Sequence, residues 1–295
     1  MIIACLVGGL ANQMGIYAAA RALAARHNVP LKLDLQKINK DRLRNYELDK
    51  LRITAGIASP REIRAVARIS PYPLVNKYRR SLARVFPLTE PNVFVERSLI
   101  FDENFFHLPD NIYLKGNFPS IRYYERIGEL LQEEFQLALP LSAESSRWLD
   151  KINDTCSVSL HVRRADYVDN PKTNKFHGAL GVGYYETAVQ WMRSHLEQPA
   201  FFVFSDDLNW AREHIRAQGS EIHYVDCNDA RTAYQDFQLM RSCHSHIIAN
   251  SGFSRWAAYL NRNPRKIVCM PRRWVAVDCL NDEDLAPADW VRIEN

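Results

Sequence analysis

SVSLHVRRADYVDN, residues 157–170, runs six residues of alternating character into two arginines and an aspartate. Successive side chains on a strand face opposite ways, so Val158, Leu160 and Val162 share one side while Ser159, His161 and Arg163 share the other. The stretch reads as a buried strand whose carboxyl end carries His161 and Arg163 as neighbours, and open α/β sheets bind ligands at that end. An arginine fork matches two phosphate oxygens at once as a lysine ammonium cannot, so Arg163 predicts a diphosphate guest. Arg164 and Asp166 read equally well as ligand contacts and as a structural ion pair, with His161 then a satisfied histidine near the core.

Outward from this strand the chain alternates β-rich runs and helical patterns, the mark of an α/β protein. CSVSLHV (156–162), FFVFS (201–205), IHYVD (222–226) and HIIAN (246–250) read as strands with helical patterns between them. Upstream, IIACLV (2–7), LKLDL (31–35) and IYLKGNF (112–118) read as strands, and ANQMGIYAAARALAARH (11–27) and IRYYERIGELLQEEF (121–135) as helices. The second helix ends at LALPLS, and a fresh βα series follows, so Pro140 divides residues 1–140 from 141–295. With no internal repeat visible, two doubly wound, Rossmann-like lobes facing a cleft are expected.

The chain of 295 residues is 47% hydrophobic and 24% charged, long enough for two cores. A net charge of +4 suits an anionic small ligand and falls short of the dense basic footprint of a nucleic-acid binder. Six cysteines (Cys5, Cys156, Cys227, Cys243, Cys269 and Cys279) lie scattered without a C-x-x-C pair, which points to a reducing compartment, a cytoplasm. The apolar start lacks a basic leader and reads as a first strand, and no run reaches the length of a membrane span. PLVNKYRRSLARVF (73–86) is basic and amphipathic, a solvated helix face or linker, with peripheral contact at the inner membrane surface as its alternative.

Other stretches bear on chemistry. In DFQLMRSCHSHIIANSGFSRWAAYLN (236–261) a helix leads to a short strand, then Asn-Ser-Gly, then another helix. Ser251 stands where an N-cap belongs, and the helix start at Ser251, Gly252, Phe253 and Ser254 is a ready anion site. One diphosphate is therefore expected between that helix start and Arg163. FFVFSDD (201–207) places acids after a strand, but without the spacing of a metal-binding Asp-x-Asp. Asp282-Glu283-Asp284 reads as solvated loop charge, and His244 and His246 find no third ligand, so no essential metal is expected. VGGLANQM (7–14) lacks the G-x-G-x-x-G dinucleotide fingerprint although Asp34 stands near where a ribose-binding acid would. It reads as a tight turn at Gly9 that brings Asn12 and Gln13 to a cleft floor.

GGLANQMGIYAAARALA, YLKGNF followed by YYERI, HVRRADYV, FVFSDD, and the 236–261 stretch followed by PRRW occur in the order found in bacterial α-1,2-fucosyltransferases, glycosyltransferase family eleven. The chain resembles that family over nearly its whole length, least so between residues 40 and 110. The resemblance implies a GT-B fold, with a donor-binding second lobe and an acceptor-side first lobe. It implies inverting, metal-independent transfer of L-fucose from GDP-β-L-fucose to O2 of a terminal galactose on an oligosaccharide or lipid-linked glycan; a transferase using another nucleotide sugar and a non-catalytic nucleotide-sugar-binding module are the alternatives. Carried onto this chain, His161 and Asp236 contact the guanine side and Arg163 the diphosphate, with Ser251 and Phe253 near it and Asn12 near the transferred sugar. Arg164, Ser205, Asp206, Gly252 and Ser254 complete the donor set, and Asp166 orients an arginine. The chain departs from the family pattern at Ala11, Gly15-Ile16, Ala165, Gly252 and Arg255. No carboxylate in the first half stands out as a general base.

Overall fold

A computed structural model describes residues 1–68, 92–164, 178–276 and 282–295. The chain divides into two compact units, Met1–Ala138 and Leu139–Asn295. Asp166 and the basic 73–86 stretch lie outside the described residues.

The first unit holds a five-stranded parallel sheet of β1 (Ile2–Cys5), β2 (Leu31–Asp34), β3 (Gly56–Ile57), β4 (Val93–Val95) and β5 (Ile112–Lys115), in the order β3-β2-β1-β5-β4. Helix α1 (Leu10–His27) follows β1 through Gly8, which takes φ 76°. A side chain there would run into Asn12, so glycine is required on both counts. Ala18, Ala19, Ala20, Ala22 and Ala24 are buried, and this small-residue surface lets α1 lie close to its neighbours. Gly15 takes that furthest, since a Cβ there would stand 2.6 Å from the carbonyl oxygen of Asn117. After α2 (Pro60–Ala67), capped reciprocally by Ser59 and Glu62, the next described strands are β4 and β5.

Residues 121–135 correct the single helix expected there. Two 3₁₀ turns, Ile121–Tyr123 and Glu125–Ile127, precede a short α3 (Gly128–Glu134). Tyr123 and Tyr124 are buried, and Tyr123 packs among Phe101, Phe105 and Phe118, so aromatic packing overrides helical continuity. Glu134 at the end of α3 accepts hydrogen bonds from Tyr17 (2.6 Å), Arg21 (3.0 Å) and Thr54 (3.1 Å), which ties α3 to α1.

The second unit begins with α4 (Ala143–Asn153), capped by Ser142. Its parallel sheet contains β6 (Ser157–Val162), β7 (Ala200–Ser205), β8 (Ile222–Tyr224), β9 (Ser245–Ile247), β10 (Val268–Pro271) and β11 (Val291–Ile293), in the order β11-β10-β9-β6-β7-β8. Four helices, α5 (Val182–His195), α6 (Leu208–His214), α7 (Ala233–Ser242) and α8 (Gly252–Leu260), complete the described part. Central β6 is buried along its whole length, and both of its faces are used. Val158, Leu160 and Val162 pack with Tyr184, Tyr185, Ala188 and Met192 of α5. On the other face three polar side chains find partners: Ser157 with His244 (2.9 Å), Ser159 with His246 (2.8 Å) and His161 with Ser254 (2.8 Å). The alternation read from the sequence holds, and each polar side chain on the buried face has at least one hydrogen bond to offset its burial. No helix among the described residues is long and apolar enough to cross a membrane.

Candidate active site

The carboxyl end of β6 meets the start of α8. Ser251 is the N-cap, its hydroxyl accepting from the Phe253 amide (3.4 Å), and the Ser254 hydroxyl reaches the Ser251 carbonyl oxygen (3.4 Å). Because Ser251 satisfies Phe253 alone, the first-turn amides of Gly252 and Ser254 have no partner among the described residues. Those amides and the helix dipole favour an anion. The hydrogen bond between His161 Nδ1 and Ser254 Oγ fastens this helix start to the strand end. His161 is buried, and burial together with the neighbouring Arg163 charge pushes its pKa down to about 3. The ring is thus neutral at physiological pH, and it gives or takes a hydrogen bond without adding charge.

Arg163 and Arg164 are positioned from β7. The Asp206 carboxylate receives Arg163 Nη1 on one oxygen (2.8 Å) and the Arg164 amide on the other (2.8 Å). Ser205 accepts from the Asp207 amide (2.9 Å), and Asp207 caps α6 through the Trp210 amide (3.1 Å). The Arg164 guanidinium lies 4.0 Å from the Trp210 ring centroid and 3.7 Å from Asp207, so its role in the described structure is to anchor the strand end. The acids of FFVFSDD therefore work as a frame for the paired arginines. Ser205 and Asp206, both expected beside the donor, stand at this strand end with the arginines they frame. Arg163 is engaged by Asp206 as well, but a guanidinium carries five N–H donors and can serve a carboxylate and a phosphate together.

Aromatic rings lead from this point to α7. His161 lies 5.9 Å from Phe253 and Phe253 lies 5.6 Å from Phe237, with Asp236 beside it in the first turn of α7. Burial pushes the Asp236 carboxyl up to about 6, and a hydrogen bond from Asn228 (2.7 Å) opposes the rise. The structure thus brings His161, Arg163, Arg164, Ser205, Asp206, Asp236, Ser251, Gly252, Phe253 and Ser254 together on the second unit. His244 and His246, weighed as metal ligands, are taken by Ser157 and Ser159, and no group of three metal-ligating side chains occurs among the described residues.

The turn after β1 belongs to the first unit. Asn12 is exposed, and the Arg44 side chain runs beside Gly9. Gln13 corrects the expectation of a cleft-floor residue. It is fully buried, its amide donating to Gly8 O (2.9 Å) and Asn45 O (2.7 Å) and accepting from the Glu47 amide (3.0 Å). One residue of helix turns the side chain by about 100°, which carries Gln13 inward while Asn12 stays out. Asp34, noted as a ribose acid by position, instead takes a hydrogen bond from the buried Tyr113 hydroxyl and another from the Gln36 amide (2.8 Å).

Two polar residues went unread in the sequence because neither lies in a motif. One is Asn228. The other is Glu96, just after β4, whose Oε2 accepts both the Asn117 and Phe118 amides (2.8 Å each) while buried Oε1 has no partner among the described residues. Burial pushes this carboxyl up to about 7. Only the strand order, which sets β4 beside β5, brings it to the turn it clamps.

Comparison with known proteins gives a consistent family. The profile described as Glycosyl transferase family 11 matches residues 96–294. The chain is 31% identical over 307 residues to an alpha-1,2-colitosyltransferase of Escherichia coli, covering 100% of this chain and 99% of that protein. It is 31% identical over 312 residues to the O-antigen biosynthesis glycosyltransferase WbnK of Escherichia coli, covering 98% and 99%. The galactoside 2-alpha-L-fucosyltransferase SEC1 of Bos taurus is 28% identical over 166 residues, 54% of this chain and 45% of that protein. Among solved structures, a FUT1 of Arabidopsis thaliana in complex with GDP superposes with a TM-score of 0.53 at 12% identity, covering 97% of this chain and 74% of that one. The fucosyltransferase NodZ from Bradyrhizobium superposes with a TM-score of 0.50 at 15% identity, covering 90% and 94%. At such identity the likeness concerns the fold, which is of the GT-B-like α/β type.

Proposed function

This chain belongs to glycosyl transferase family 11, and from that premise we propose that it transfers L-fucose from GDP-β-L-fucose to a glycan hydroxyl. The acceptor hydroxyl is O2 of a terminal galactose on an oligosaccharide or lipid-linked glycan, and transfer inverts the donor configuration without a metal ion. One observation carries the reading: the strand end bearing Arg163 is bonded, through His161 and Ser254, to a helix start whose Gly252 and Ser254 amides have no partner among the described residues.

Cleavage of the sugar–phosphate bond builds positive charge on the sugar and extra negative charge on the departing β-phosphate. Donors fixed in advance toward that oxygen act mostly in the transition state. The Arg163 fork and the first-turn amides of α8 supply such donors, and the Asp206 carboxylate keeps the fork from reorganising. Neutral His161 braces the two elements without competing for the phosphate charge. Asp236 offers a carboxylate to the N–H edge of the base, which in guanine carries two donors side by side. The first unit is assigned the acceptor, and exposed Asn12 is its candidate contact residue.

A second reading has its own support, since a full-length relative is a colitosyltransferase. Colitose is fucose without the 3-hydroxyl, so both donors present the same diphosphate and base. Incubation with lactose and either GDP-fucose or GDP-colitose, followed by GDP release and mass analysis of the product, distinguishes them. Faster release with GDP-fucose and a fucosylated lactose are expected. Release only with GDP-colitose would transfer the assignment to that sugar, and no thermal response to GDP would remove the donor class altogether.

A further inference from the structure

Asp236 is held by a small polar assembly outside every motif. The Asn228 side-chain amide donates to Asp236 Oδ1 (2.7 Å) and lies within hydrogen-bond distance of Ser145 Oγ (3.2 Å) and Cys227 Sγ (3.2 Å). Ser145 is fully buried in the first turn of α4, its own hydroxyl able to donate back to Asn228 Oδ1 (3.3 Å). Ser142, which caps α4, donates its amide to Gln235 of α7 (2.7 Å), so the starts of the two helices are keyed together beside the 227–228 turn. One carboxylate oxygen of Asp236 is thus fixed by protein, and Oδ2 has no partner among the described residues.

We propose that Asn228 is the positioning residue of the base-reading carboxylate: its amide fixes Oδ1 of Asp236 so that Oδ2 is presented, charged, to the N–H edge of the nucleobase. This rests on the reading of Asp236 as the group that meets the base of a GDP-linked donor. Burial works against a charged carboxylate, and the Asn228 bond is the interaction that counters it. The other titratable groups around Asp236 do not help. Cys227, whose thiol is pushed up by burial, stays neutral, and Glu144 in the first turn of α4 adds negative charge. Asp226 and Asp229 are engaged by Arg212 and Arg231.

The test is GDP affinity of the full chain, measured by calorimetry between about pH 5 and 8.5, for wild type, Asn228→Ala and Asn228→Asp. The ratio of variant to wild type at each pH cancels the titration of the diphosphate. IDP, which lacks the 2-amino donor, runs alongside. Losing the amide is expected to raise the midpoint of Asp236 by about one unit, which weakens GDP binding about fivefold near pH 6 and by less than about twofold above pH 8. Asn228→Asp keeps the shape but sets a second carboxylate against the first, so its midpoint rises by about two units and binding weakens about tenfold near pH 7. A packing role predicts the reverse order, with the isosteric Asp milder than Ala and both curves parallel to wild type. That outcome overturns the inference. Wild type that fails to bind GDP, or that binds IDP equally well, overturns the donor reading on which it stands.

Discussion

Replacing Arg163 by lysine separates charge from geometry. Lysine keeps the positive charge and can still approach Asp206, but it loses the planar fork. The Arg163–Asp206 pair is partly exposed, 25% and 21% for the two side chains, so its worth to folding is about 0–1 kcal/mol. For a unit of this size that is a shift in Tm of at most about 4 °C. The catalytic loss should be larger, because the interaction strengthens as the β-phosphate departs. Removing one preorganised donor of this kind costs about 10²–10³ in turnover, or about 2.7–4 kcal/mol. Arg163→Lys should therefore lower kcat by about that factor while the affinity for GDP changes less. Initial rates of GDP release with GDP-fucose and lactose, together with thermal melting and GDP titration, measure all three. A kcat within about threefold of wild type would refute the role of the guanidinium. So would a large drop in Tm, since the rate would then report folding.

Gly15→Ala ought to stabilise a helix by up to about 1 kcal/mol on propensity, but the new methyl would stand 2.6 Å from Asn117 O, so a net loss of about 1–3 kcal/mol is expected in urea unfolding. An unchanged midpoint would mean that the close approach of α1 to the 117–118 turn is not needed. Gln13→Ala strands partners at Gly8, Asn45 and Glu47 and should cost about 1–3 kcal/mol by the same assay. Loss of donor or acceptor affinity without loss of stability would return Gln13 to the cleft floor. His161 and His246 are buried with pKa values lowered to about 3, against about 6.5 when unfolded. Protons then favour the unfolded chain, so stability is full above about pH 6.5 and falls as pH drops toward 3, by on the order of 2 kcal/mol for each ring at about pH 5. Glu96 and Asp236, whose carboxyls are pushed up, act in the opposite sense, so the check is denaturation at about pH 7 and 5 of wild type against His246→Gln, where their effect cancels; an equal change with pH in both would contradict a neutral buried ring.

Much of the second unit was legible because its signals are local. Alternation in SVSLHV assigned the two faces of β6, and the N-S-G sequence placed a cap at Ser251, since strand period and capping depend on a few adjacent residues. Short edge strands such as β3, β4 and β11 carry too little pattern to be seen. The broken helix at 121–135 was invisible because its cause, Tyr123 packed against Phe101, Phe105 and Phe118, comes from residues outside the segment itself.

Residue types and their order were enough to establish an α/β chain of the glycosyl transferase 11 pattern with an arginine at a strand terminus. Which side chains act and which merely hold required the assembled fold. Asn12 and Gln13 are neighbours in sequence, yet one is exposed and the other is consumed by backbone partners more than thirty residues away. Asp206 holds Arg163 and the Arg164 amide, and Asn228 meets Asp236, because partners across parallel strands and helix starts are brought together by packing. Hydrogen bonds are satisfied in space, and a one-dimensional pattern records only those whose donors and acceptors are already near in the chain.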